Sequence, residues 1–150
     1  MEEIHWQCKA FNELSPAELY QILRLRSEVF VVEQHCPYLD EDNKDQASSH
    51  FMGWLQGRLL AYVRILPAGL AFDEVSIGRV VNSPSVRNQG IGKKLMENAI
   101  LKTWELHGKQ NIRIGAQLYL KKFYTSLGFQ KVSDIYLEDD IEHIEMLLTT

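Results

Sequence analysis

With 150 residues, 45% of them hydrophobic and 24% charged, the chain has the length and balance of one folded domain, which excludes wholesale disorder. A net charge of −4 excludes a broad electrostatic footprint for nucleic acid, so any anion site has to be built locally. No window approaches the roughly 18 apolar residues of a membrane span, and Met1-Glu2-Glu3-Ile4-His5-Trp6 lacks the basic flank and apolar stretch of a signal peptide; the expectation is a cytoplasmic chain without a membrane partner. Cys8 and Cys36 stand far apart and outside any C-x-x-C arrangement, which points to two reduced thiols.

No repeat or linker divides residues 1–150, which read as a single domain of alternating strands and helices. Ile4 to Ala10 alternates Ile4, Trp6 and Cys8 with His5, Gln7 and Lys9, the pattern of a half-buried strand. Ser15-Pro16-Ala17-Glu18 carries the signals of a helix start: a capping serine, a proline with the right φ, and a glutamate placed to close a capping box. Leu19, Ile22, Leu23, Arg26, Val29 and Phe30 follow at helical spacing, and the helix is expected to fade near Val31. Residues 33–49 contain Pro37 and the acids Glu33, Asp40, Glu41, Asp42 and Asp45, and read as a long, solvated acidic loop.

His50 to Gln56 and Arg58 to Leu66 flank Gly57 as a hairpin whose turn needs a left-handed residue. Phe72 to Asn82 is a β-branched run leading into a glycine-containing loop, after which Ile91, Leu95, Ala99 and Ile100 mark a helix. Asn111 to Ala116 reads as a strand, Leu118 to Leu127 as a helix stopped by Gly128, and Phe129 to Tyr136 and Glu142 to Leu148 as closing strands. The class is α/β or α+β with a mixed sheet.

The loop Arg87-Asn88-Gln89-Gly90-Ile91-Gly92-Lys93-Lys94 stands at a helix N-terminus, where unpaired amides and the helix dipole favour an anion. Gly90 and Gly92 keep side chains away from those amides, and Arg87, Lys93 and Lys94 supply charge, so a diphosphate is the natural occupant. The dinucleotide pattern would need glycine at Leu95, and the P-loop would need glycine at Arg87 and a hydroxyl at Lys94; neither fits.

Gly78-Arg79-Val80-Val81-Asn82 through Gly92 resembles motif A of the GNAT superfamily of N-acyltransferases, whose signature [R/Q]-x-x-G-x-[G/A] is met by Arg87, Gly90 and Gly92. The resemblance continues through Gln117, Leu120, Tyr124, Gly128 and Phe129. Gln and Leu stand at the first two of these, where many members carry Asn and Ala. Val29-Phe30-Val31-Val32-Glu33-Gln34, Cys36-Pro37-Tyr38, Glu138-Asp139-Asp140 and His143 make the whole chain similar to the ElaA-type branch of that superfamily.

The resemblance implies a mixed, mostly antiparallel sheet of about seven strands flanked by about four helices, with a splayed central pair. It also implies acetyl-CoA as cosubstrate, an amine acceptor, no metal, and a monomer or homodimer. Val80 and Val81 would face the pantetheine arm, Arg87, Asn88, Gln89, Gly90, Ile91, Gly92 and Lys93 the pyrophosphate, and Gln117 the donor site. Tyr124 would protonate the leaving thiolate, since a phenol and a thiol have pKa values of comparable size. For the base, Glu33 and His143 lead, with His35, His50 and Glu74 behind them. A catalytically silent CoA-binding sensor of the same fold is the second reading.

Asp40 to Asp45 fails as a calcium loop, because Lys44 and Asp45 stand where an oxygen ligand and a glycine are required. If that loop lines the acceptor site, its charge would favour cationic amines.

Overall fold

The computed structural model describes residues 3–150; Met1 and Glu2, part of the stretch compared above with a signal peptide, lie outside them. Among the described residues the strands are β1 (His5–Ala10), β2 (Ser49–Leu55), β3 (Arg58–Leu66), β4 (Val75–Asn82), β5 (Ile112–Gln117), β6 (Gln130–Lys131), β7 (Tyr136–Glu138) and β8 (Ile141–Leu148). The helices are α1 (Pro16–Arg26), α2 (Ile91–His107) and α3 (Lys121–Ser126), and none is long and apolar enough to cross a membrane. One sheet runs in the order β1-β2-β3-β4-β5-β8-β6, with β7 paired to β8. Its pairs are antiparallel except β4 with β5.

The local signals at α1 act as expected. Ser15 Oγ accepts from the Glu18 amide at 3.1 Å while the Glu18 carboxylate accepts from the Ser15 amide at 2.8 Å, so two otherwise unpaired donors are satisfied. Past Arg26 the backbone widens into a π-helical turn, Ser27–Glu33, in place of a fading α-helix. Gln56 and Gly57 have φ of 50° and 75°, which makes the β2–β3 connection a two-residue turn of the type that matches strand twist. The single strand expected over 129–136 is instead two short ones, β6 and β7, both paired to β8.

The sheet is covered on both faces. Ile22, Leu25 and Val29 pack with Met52, Leu59, Tyr62 and Val81, whereas Leu95, Met96, Ala99 and Ile100 of α2 pack with Val63, Ile65, Ile77 and Ile114. Tyr62 and Val63 are successive residues of β3, so the two cores lie on opposite faces.

The acidic segment departs most from the sequence reading. Asp40 and Asp45 are 2% and 6% exposed, and they meet an arginine, Arg26, that is 0% exposed. Arg26 Nε donates to Asp40 Oδ2 at 2.7 Å and its Nη1 to Asp45 Oδ1 at 2.8 Å. Arg64 Nη1 donates to Asp45 at 2.9 Å and to Asp42 at 2.7 Å, and its Nη2 reaches the second Asp42 oxygen at 2.8 Å.

The cause is visible in the elements. Arg26 falls on the apolar stripe of α1 and Arg64 in the interior of β3, where an unpaired cation would be costly, so the loop folds back to supply counter-charges. Burial alone would raise the Asp42 carboxyl; the Arg64 guanidinium holds it well below the usual carboxylate range. His50, one of the lesser base candidates, belongs to the same cluster. Its Nδ1 lies 2.6 Å from the Tyr62 hydroxyl and its Nε2 donates to the Asp45 carbonyl at 2.9 Å, while burial pushes its pKa down. It is a satisfied structural histidine.

Because Asp45 bridges Arg26 and Arg64, Asp45→Asn leaves two buried cations short of charge. It should lower the unfolding free energy by about 3–5 kcal/mol, measured by urea denaturation at neutral pH.

Candidate active site

β4 and β5 pair at only two positions, Val75 with Ile112 and Ser76 with Arg113; by Gln117, β5 pairs with β8 at His143. Beyond Ser76 the two central strands part, and a cleft of about 890 Å³ opens between them. A bulge in β4 accompanies the parting. Tyr62 faces Val81 and Arg64 faces Gly78, so Arg79 and Val80 together oppose Val63, and Arg79 takes a left-handed φ of 50°.

That conformation is costly for a residue with a Cβ, and the buried charge cluster holds it. Arg79 Nε lies 2.9 Å from Asp40 Oδ1, and Arg79 Nη2 donates to the Asp40 carbonyl at 2.9 Å. Asp40, Asp42 and Asp45, acids of the loop whose charge would favour cationic amines if it lined the acceptor site, are therefore paired with Arg26, Arg64 and Arg79.

One side of the cleft mouth is the glycine loop. Gly90 caps α2 at φ 74° with nothing near an added Cβ, so its requirement is conformational. At Gly92 the requirement is space: a Cβ would come within 3.1 Å of Asn82 Nδ2 and 3.8 Å of Phe123. At the start of the seventeen-residue α2, Gly92 thus lines the cleft together with Arg87 and Asn88.

Arg87 is held in a bidentate ion pair by Glu33, at 2.7 and 2.5 Å. The guanidinium lowers the Glu33 pKa, and both carboxylate oxygens are occupied, so Glu33 is a partner of the phosphate-loop arginine and a poor base. Glu74, another lesser candidate, is likewise paired, with Arg113. Gln117 exchanges side-chain amide contacts with Gln34 at 3.3 and 3.4 Å.

Tyr124 of α3 lines the same cleft and is 5% exposed, set edge-on to Phe123 and Phe129 with ring centroids 5.1 and 5.9 Å away. Burial pushes its phenol pKa up, beyond the parity with a thiol assumed from sequence. The proton is therefore firmly held. His143 of β8 also lines the cleft; its Nδ1 donates to the Ile141 carbonyl at 2.7 Å, its ring stacks on Tyr136, and its Nε2 is 3.4 Å from Glu138.

The splayed parallel pair, bulged strand, glycine-capped helix and buried tyrosine stand in a chain whose residues 12–150 match a model of the acetyltransferase (GNAT) domain. This chain belongs to the GNAT family. The protein ElaA of Escherichia coli is 41% identical over 145 residues, with 95% of each chain covered. Its crystal structure superposes with a TM-score of 0.90 over 97% of this chain and 99% of that one. An acyl-CoA N-acyltransferase from Pseudomonas aeruginosa is 43% identical, with a TM-score of 0.93 and coverage of 97% and 99%. A GNAT acetyltransferase from Elizabethkingia anophelis, solved with acetyl-CoA bound, shares the fold at a TM-score of 0.67 and 15% identity over the full length of both chains.

In this GNAT chain Val80, Val81, Arg87, Asn88, Gly92, Gln117, Tyr124, Glu33 and His143 all line the one cleft. Gln89, Gly90, Ile91 and Lys93 belong to the same loop and helix start but not to the cleft wall. Gln34, Arg79, Asn82 and Glu138 also line it and were not singled out as site residues; Gln34 reaches Gln117 across 83 residues of chain, a proximity without a local signal. Gly90→Ala forces an L-residue into the left-handed region at a cost of about 1–2 kcal/mol. It should lower the melting temperature by about 2–8 °C and weaken stabilisation by added CoA, read by thermal unfolding with and without CoA.

Proposed function

We propose that this acyltransferase is acetyl-CoA-dependent and moves the acetyl group to an acceptor amine by direct attack of that amine on the thioester. The observation that carries the reading is the buried phenol of Tyr124 in the cleft that the parting of β4 from β5 opens beside the α2 N-terminus.

The residues present suit a CoA-type donor. The amides of Ile91, Gly92 and Lys93 and the Arg87 guanidinium would hold a diphosphate, and Gly92 leaves the space a side chain would take. From Ile77 onward the β5-facing edge of β4 has no strand partner, so Val80 and Val81 can pair their backbone with an amide-bearing arm, and an amide near Val81 can face the carbonyl oxygen as charge develops on it. When bound, acetyl-CoA supplies the activated acyl group.

The chain's own residues then handle protons. His143 presents Nε2 to the cleft as a proton acceptor, because Nδ1 carries the hydrogen donated to Ile141. Tyr124 delivers a proton to the departing sulfur and regains one as the nitrogen sheds its own. The high pKa of Tyr124 keeps it protonated between turnovers. On this reading the acid stands on α3 and the base on β8, with Glu33 left to Arg87.

Tyr124→Phe should lower kcat by about 10²- to 10⁴-fold with little change in the KM for acetyl-CoA, followed by thiol release with a panel of amines. Thermal stabilisation by CoA in the wild type without thiol release for any amine would overturn transfer in favour of a sensor.

A further inference from the structure

The acceptor end of the cleft is built by the β7–β8 hairpin, and its geometry is specific. Asp139 and Asp140 take φ of 51° and 62°, a two-residue turn that sets Glu138 opposite Ile141. The Cys36 thiol donates to the Asp139 carbonyl at 3.4 Å, tying this turn to the segment after the π-helical turn. Glu138, Asp139, Ile141 and His143 all line the cleft.

His143 is only 7% exposed, and its orientation is fixed from three sides. Nδ1 is committed to Ile141, the ring lies on Tyr136 at 5.8 Å, and Tyr136 in turn needs Gly115, where a Cβ would stand 3.1 Å from its hydroxyl. Nε2 is left facing Glu138 at 3.4 Å. Glu138 is 62% side-chain exposed, and no arginine or lysine pairs with it among the described residues. Its neighbour Asp139 also lines the cleft without a paired cation among the described residues but is not paired with His143, whereas Glu33 is taken by Arg87, and Asp42 by Arg64 and Arg79.

We infer that Glu138 and His143 form the ammonium-binding subsite and that Glu138 is the residue that discriminates among acceptors by their positive charge. The inference rests on the transferase reading above and names a specificity-determining residue of the same cleft. One N–H of the ammonium is directed to the Glu138 carboxylate and another to His143 Nε2, the one ring nitrogen with a lone pair to offer.

His143 Nε2 takes the first proton, leaving a neutral amine whose lone pair forms the C–N bond as the C–S bond breaks. The nitrogen sheds a second proton, Tyr124 supplies one to the sulfur, and one proton in net passes to solvent. The Glu138 carboxylate, 3.4 Å from Nε2, offsets the charge formed on the imidazole.

The test measures thiol release from acetyl-CoA with n-butylamine, 2-phenylethylamine and lysine methyl ester, which are cationic at neutral pH, and with 2,2,2-trifluoroethylamine, which is largely neutral. Glu138→Gln should raise the KM of the best cationic acceptor about tenfold, leave the KM for acetyl-CoA unchanged, and shift the KM of the neutral amine by less than about twofold. Glu138→Asp should recover part of the loss, and His143→Gln should lower kcat for all amines about a hundredfold. A KM for the cationic amine within about twofold of wild type in Glu138→Gln, or an equal loss with trifluoroethylamine, overturns the subsite while leaving the transferase reading intact. Absence of thiol release with every amine in the wild type overturns both.

Discussion

The parting of β4 from β5 after two residue pairs is the constraint on which the cleft, the bulge and the buried charges depend. A parallel pair that stays in register would bury the β5-facing edge of β4 in ladder hydrogen bonds and leave no room between the strands. Here the bulge at Arg79 and Val80 accompanies the turn of β4 away from β5, and β5 finds a second partner in β8. The unpaired stretch of β4 backbone that results is a polar surface inside the protein, which requires a polar occupant.

Holding that geometry requires charge. Arg79 sits in a conformation disfavoured for any residue with a side chain, and its guanidinium is fixed by Asp40, which is fixed by Arg26 from the other side. Asp45 and Asp42 extend the chain of opposite charges to Arg64. Each arginine alone would be an expensive group to bury, yet three aspartates distributed among them cancel most of that cost and link α1, β3 and β4 to the loop before β2. The same arrangement buries Asp40 and Asp45, and pairs Asp42, which lines the cleft, with Arg64 and Arg79.

On the proposed reading the cleft has a donor half and an acceptor half, built on different principles. The donor half is mainly backbone: open amides at the α2 N-terminus, a free strand edge, and glycines whose value is what they lack. The acceptor half is made of side chains, with His143 and Glu138 placed by a two-residue turn and by stacking on Tyr136. Backbone recognition tolerates drift in side chains, whereas an acceptor site made of side chains can change with single substitutions. This accounts for the donor half being shared across a fold family while acceptors differ.

Sequence alone was enough for the features that are local. The Ser15–Glu18 capping box, the Gln56-Gly57 turn, the Gly128 stop and the Arg87 to Gly92 loop are each set by residues within a few positions of one another, so their chemistry is written in order along the chain. The resemblance of that loop, with Tyr124 and Gly128-Phe129, was also legible, because Tyr124 of α3 and the Gly128-Phe129 pair just after it keep fixed spacings along the chain.

What only the tertiary structure decided are the contacts between distant segments. Composition marks Asp40 to Asp45 as solvated, and nothing nearby reveals that Arg26 and Arg64 would be buried without them. Glu33 reads as a free carboxylate until Arg87, 54 residues on, is brought against it. His143 and Glu138 acquire a joint direction only when a hairpin turn closes over a strand edge. Burial and pairing of charge depend on which surfaces meet. That is a property of the folded sheet, and no short window of residues contains it.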